Sequence, residues 1–206
     1  VHLTVIAKEP VPGKVKTRLC PPFTPEQAAA VAEAALRDTL DAVVHSATGD
    51  VEPVLLLDGN RPRFVPSDMR VVSQCDGGLD ARLAHGFAEL GPGVIVGMET
   101  PGAVPSLRAA LDHLRHGNDV LAPALDGGYW AIGLAAGVDP HRALLGVPMS
   151  VDYTFAAQLR RLFALRRRVR LLQTARDLDD LDDLVACAAT SSGRLGAVAA
   201  EVLATG

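Results

Sequence analysis

Ala7 to Leu19 reads A-K-E-P-V-P-G-K-V-K-T-R-L, directly after an apolar run, His2 to Ala7, that reads as a buried first strand. The stretch sets Lys8, Lys14, Lys16 and Arg18 around two prolines and Gly13. A stiff cationic loop at the end of a first strand suits a phosphorylated ligand. Arginine grips phosphate with a planar fork and lysine acts as a point charge.

Working outward, strands and helices alternate. Thr24 is placed to cap a helix, with Pro25 at its first position and Gln27 completing a capping box. That helix runs to about His45, with Ala32, Leu36, Leu40 and Val43 or Val44 on one face. Strands are expected at 51–57 and 70–73, followed by a Gln74 to Gly78 turn. A helix carrying Leu79, Leu83, Phe87 and Leu90 comes next. Gly93 to Gly97 is a buried strand that ends in Met98-Glu99-Thr100-Pro101. A helix with Leu107, Ala110, Leu111 and Leu114 leads to strands at 119–123 and 129–134, joined by Asp126-Gly127-Gly128. A long helix, about 152–167, carries Phe155, Leu159, Leu162 and Phe163. A short strand at 169–172 precedes one or two helices from Asp179, broken at Ser191-Ser192-Gly193. The pattern is that of an α/β sheet covered by helices on both faces, and residues 1–206 suit one domain. Ligands of such sheets sit outside the carboxyl ends of the strands. The basic loop, Glu99 and Asp126 all fall there.

Composition excludes several classes. A net charge of −4 leaves no nucleic-acid surface, and no apolar run reaches membrane-spanning length. Three scattered cysteines without a C-x-x-C motif read as reduced cytoplasmic thiols, and no signal peptide is visible. Pro12-Gly13-Lys14-Val15 lacks the Ser or Thr and the earlier glycine of a P-loop, and no dinucleotide fingerprint is present. The histidines show no metal spacing, and no nucleophile elbow is found.

Three acidic segments remain. Glu99, at the end of a buried strand, suits a divalent cation or a helix N-terminus. Asp126 could bind a cation, orient an acceptor hydroxyl or act as base, beside two glycines that let a ligand approach the backbone, or Asp126-Gly127-Gly128 could be a plain turn. In Arg176-Asp177-Leu178-Asp179-Asp180 the acids could cap a helix, or Asp177 or Asp179 could hold a metal.

These segments together resemble a bacterial glycosyltransferase-A-like family of unknown function, some of whose members are known as arsenosugar-biosynthesis-type glycosyltransferases. The family pattern A-K-x-P-x-P-G-x-V-K-T-R-L is matched at every specified position from Ala7 to Leu19. Its D-G-G-Y is matched by Asp126 to Tyr129, and its closing acidic segment loosely by Asp177 to Leu184. The chain departs at Glu99, where many members have aspartate, and at Gly78 and Asp80.

The resemblance implies a three-layer α/β/α sandwich with a mixed, mostly parallel sheet. It also implies a nucleotide or nucleotide-sugar donor and Mg²⁺ or Mn²⁺. Donor contacts are expected from Ala7, Lys8, Gly13, Lys14, Lys16, Arg18, Gln74 and Arg82. Metal contacts are expected from Glu99 and, more weakly, Asp179; acceptor contacts from Asp126, Gly127, Gly128 and Tyr129. Asp126 and Lys16 are the expected catalytic pair. Glycosyl transfer, nucleotidyl transfer onto a phosphorylated small acid, and a non-catalytic nucleotide-binding module with a degenerate metal site all stay open.

Overall fold

The computed structural model describes residues 1–99, 105–191 and 193–205. Thr100 and Pro101 of the segment after Gly97, and Ser192 of the expected helix break, lie outside the described residues. Seven strands form one sheet: β1 His2–Lys8, β2 Glu52–Asp58, β3 Arg70–Ser73, β4 Gly93–Gly97, β5 Asp119–Pro123, β6 Tyr129–Leu134 and β7 Val169–Leu171. Their order is β3-β2-β1-β4-β6-β5-β7. β1 to β4 pair in parallel, β6 is antiparallel to both β4 and β5, and β7 is parallel to β5. Only β6 therefore runs in reverse. The carboxyl ends of β1, β4, β5 and β7 and the start of β6 share one edge.

Strand alternation divides the core. Leu3, Val5 and Ala7 face one cluster with Val94, Val96, Val120 and Ala122. Helices α1 (Pro25–Ser46) and α3 (Pro105–Arg115) cover that side. Ile95, Leu121 and Ile132 face the other, under α2 (Leu79–Leu90), α4 (Pro140–Leu144) and α5 (Thr154–Ala164). This is the three-layer sandwich.

Helix α1 starts as its sequence dictates. The Thr24 hydroxyl accepts from the Gln27 amide, the Gln27 side chain accepts from the Thr24 amide, and Pro25 opens the first turn. Ala32, Leu36, Leu40 and Val43 are buried, whereas Val44 is exposed. The helix also buries a second face. Ala28, Val31 and Ala35 form a separate cluster with Leu19, Leu178, Leu184, Leu195 and Val202. Through it α6 (Leu181–Thr190) and α7 (Arg194–Thr205) stack outside α1. Asp38 of α1 accepts from the Arg194 and Leu195 amides and so caps α7. The expected helix over 152–167 is shorter, and Phe163 is exposed rather than packed. Arg166, just beyond it, has a left-handed φ of 56°. No described helix is long and apolar enough to cross a membrane.

Candidate functional site

The loop after β1 is pinned at both ends. Val15 packs into the core beneath α1, and Leu19 packs into the cluster under α7. Between β1 and Lys14 the chain makes a tight turn, with the Lys14 amide donating to the Val11 carbonyl. Gly13 has a φ of 76°, which only glycine adopts without strain. Lys16 is left-handed (φ 49°, ψ 37°) and leads into a single 3₁₀ turn, Thr17–Leu19. These constraints hold Lys8, Lys14, Lys16 and Arg18 along one wall of a cleft of about 600 Å³.

The acidic side of the cleft comes from β4, from the start of β6 and from the segment after β7. Met98, Glu99, Tyr129, Trp130, Asp177 and Asp179 line it. Thr39 of α1 donates to the Met98 carbonyl and fixes the end of β4. The Trp130 indole donates to the Gln173 carbonyl and ties β6 to the segment carrying Asp177. Carboxylate oxygens of Asp126, Asp177 and Asp179 all lie within 4.8 Å of one another.

Electrostatics differ between the walls. Neither the Lys8 nor the Lys14 side chain makes a hydrogen bond or ion pair with a described residue, and both are exposed. Lys16 is different. Its ammonium lies 2.6 Å from Glu99 Oε1 and 3.4 Å from Asp179 Oδ1, and it donates to the Leu178 carbonyl. Arg18 pairs with the other Asp179 oxygen at 3.0 Å. Burial pushes the Glu99 carboxyl above its usual range, against the pull of Lys16. Burial and then the Asp126 charge do the same to Asp177. Desolvation, with the charge of Asp80, likewise raises the Tyr129 phenol, whose hydroxyl donates to Met149 Sδ at 3.7 Å.

The expected donor residues at the far end serve partly as scaffold. Gln74 donates to the carbonyls of Ala7 and Leu56, and so clasps the ends of β1 and β2. Arg82 donates to Asp58 at 2.6 Å, to Gln74 at 2.9 Å and to the Gly77 carbonyl. The Asp58 carboxyl is held below its usual range by that bond. Ala7, Gln74 and Arg82 still line the cleft; Gly13 shapes the loop without lining it.

The D-G-G segment takes the form of a plain turn closed on its own chain. Gly127 has a φ of 90°, and a Cβ there would stand 1.9 Å from the Asp152 carbonyl oxygen. What approaches this backbone is the chain itself, and Phe155 donates to the Gly127 carbonyl. Gly128 donates to Asp126 Oδ1 at 2.8 Å, which orients that carboxylate toward its own turn. Asp126, Gly127 and Gly128 thus stand outside the cleft lining, with Asp126 joining it only through Asp177 and Asp179. Asp177 is the residue that sequence reasoning weighed only as an alternative to Asp179. The D-L-D spacing was its signal, since buried Leu178 separates two acids turned the other way. Glu99 is not one of the three convergent carboxylates.

The architecture is that of the nucleotide-diphospho-sugar transferases. A protein from Desulfovibrio desulfuricans G20 assigned to that class is 22% identical, with 97% of this chain and 94% of that one aligned at a TM-score of 0.85. Rv0371c from Mycobacterium tuberculosis H37Rv, solved as a manganese complex, is 22% identical over 90% of this chain and 95% of its own, at 0.57. A UDP-glucose pyrophosphorylase from Acinetobacter baumanii is 9% identical over 100% of both chains, also at 0.57. At these identities the likeness establishes the fold. Residues 27–151 match the family DUF2064, described as "Uncharacterized protein conserved in bacteria", and the chain belongs to that family. No curated protein matches it.

Proposed function

We propose that this chain is a transferase acting on a nucleotide-activated donor, with glycosyl transfer from a nucleotide-sugar as the first reading. One observation carries it. The cleft at the carboxyl ends of the strands carries Lys8 and Lys14, unpaired among the described residues, and Asp177 and Asp179, whose carboxylates converge with that of Asp126 beside the lining. Residues 1–206 then act as one nucleotide-binding domain. The three unbridged cysteines fit a reducing, cytoplasmic setting.

Lys8 and Lys14 hold the donor phosphates, joined by Arg18 at the mouth. Asp126, Asp177 and Asp179 fit Mg²⁺ or Mn²⁺. They supply hard oxygen donors within reach of one ion, and their mutual repulsion is what a cation relieves. Such an ion, when bound, neutralises charge that builds on the leaving phosphate. The manganese complex of the fold relative Rv0371c is in keeping with this. The protein's own part is to orient donor and acceptor and to keep the cleft polar and preorganised. Asp126, at the rim, is the group facing an acceptor hydroxyl. The likeness to UDP-glucose pyrophosphorylase supports nucleotidyl transfer as the second reading.

A panel of nucleoside triphosphates and nucleotide-sugars, with and without Mn²⁺, tests the proposal. A true donor at about a hundred times its dissociation constant stabilises the fold by about 2.7 kcal/mol. Nucleoside diphosphate released from a nucleotide-sugar means glycosyl transfer, and pyrophosphate released from a triphosphate means nucleotidyl transfer. Binding without turnover would leave a non-catalytic module. No stabilisation by any nucleotide would end the proposal.

A further inference from the structure

Lys16 matches the phosphate-binding pattern of the loop, yet its ammonium is already fully engaged. Its three N–H groups meet three acceptors: Glu99 Oε1 at 2.6 Å, Asp179 Oδ1 at 3.4 Å and the Leu178 carbonyl. The side chain is 4% exposed, against 74% for Arg18 on the same loop. Its backbone is left-handed and lies between two anchored residues, Val15 and Leu19. A side chain so placed is part of the built site.

Charge balance points the same way. Glu99, Asp126, Asp177 and Asp179 bring four negative charges, and Lys16 and Arg18 return two. Lys8 and Lys14, the other lining lysines, make no ion pair with these acids, so among the groups in contact two negative charges remain, the charge of one divalent ion.

We infer that Lys16 is a resident cation: its ammonium, held between Glu99 and Asp179, stands where a second divalent ion would otherwise sit. The cleft then takes a single divalent ion, at Asp126, Asp177 and Asp179. Glu99 is a positioning residue for Lys16 and does not bind metal. The donor phosphates are left to Lys8 and Lys14. The inference rests on the cation site proposed above, and it predicts stoichiometry as well as affinity.

Mn²⁺ titrations followed by the electron paramagnetic resonance of the free ion read both without any turnover. Wild type should bind one Mn²⁺ per chain. Glu99→Gln should keep that site, with its affinity within about a hundredfold, and Lys16→Met should gain a second Mn²⁺ that Lys16→Met/Glu99→Gln loses again. A drop of more than about a hundredfold in Glu99→Gln, beyond what an outer-shell partner costs, makes Glu99 a ligand and overturns the inference. So does the absence of a gained ion in a folded Lys16→Met. Should Lys16→Met not fold, the Glu99→Gln affinity decides alone, and a loss beyond about a hundredfold overturns the inference. Failure of wild type to bind Mn²⁺ is a separate result. It removes the cation site at the three aspartates, while a Mn²⁺ gained by Lys16→Met would still identify the ammonium as the occupant.

Discussion

Asp177 concentrates the electrostatic tension of the cleft. Its carboxyl is half-buried and faces Asp126 and Asp179, so the folded chain holds the Asp177 proton more tightly than the unfolded chain does. The sign follows by linkage. Stability from this group falls as pH rises from the ordinary value of 3.8 through the raised one, and the penalty is complete above it. Asp177→Asn should therefore be more stable than wild type at neutral pH in the absence of metal. That advantage should disappear in denaturation curves below about pH 4. The same variant should lose at least about tenfold in Mn²⁺ affinity, because a direct ligand matters no less than an outer-shell partner. Wild-type Mn²⁺ binding should weaken as pH falls through the raised Asp177 value. An Asn variant that is less stable than wild type at pH 7 would show that the carboxylate is better compensated than its neighbours imply.

The elements are held together by a second ionic feature away from the cleft. Asp119, at the start of β5, is fully buried and receives two bonds from Arg167, at 2.8 and 2.9 Å, and one from the Ala135 amide. Arg167 stands just before β7, so the pair locks the edge strand to β5 and to the end of β6. Arg167→Ala leaves a buried charge without its partner and should cost about 3–5 kcal/mol in urea denaturation. A loss under about 1 kcal/mol would place the pair among solvent-screened surface bridges. The sequence made most elements legible at this scale. β4, β5 and β6 fall where short apolar runs are bounded by Gly, Pro or Asp, β3 where Val71 and Val72 stand between polar residues, and α1 begins at its capping box. Helix α4, only five residues long, carries no periodicity to detect. The outer face of α1 stayed hidden because it is rich in alanine, which marks a buried face weakly. In the site, the loop lysines and the acids at strand ends were legible from spacing. The closure of Lys16 on Glu99 and Leu178 was not, because it depends on strand order and on the packing of the last helices.

At the scale of the molecule, three clusters divide the labour. Two bury the faces of the sheet, and the third, between α1 and the last two helices, takes in Leu19 from the basic loop and Leu178 from the acidic segment. Leu195 of α7 is fully buried in that third cluster. Leu195→Ala should cost about 2–5 kcal/mol in thermal or urea unfolding. It should also weaken Mn²⁺ binding well below the melting temperature, although Leu195 is not a lining residue of the cleft. Unchanged Mn²⁺ affinity in the folded variant would show that cleft geometry is set by the sheet alone. The capping of α7 by Asp38 has a consequence here. One carboxylate on the longest helix fixes where the terminal helix begins, and that helix presses on the two leucines beside the basic and acidic sides of the cleft. The terminal pair of helices is thereby the gauge of that contact: substitutions there can retune how the basic loop meets the acidic segment while every residue that meets a ligand stays the same.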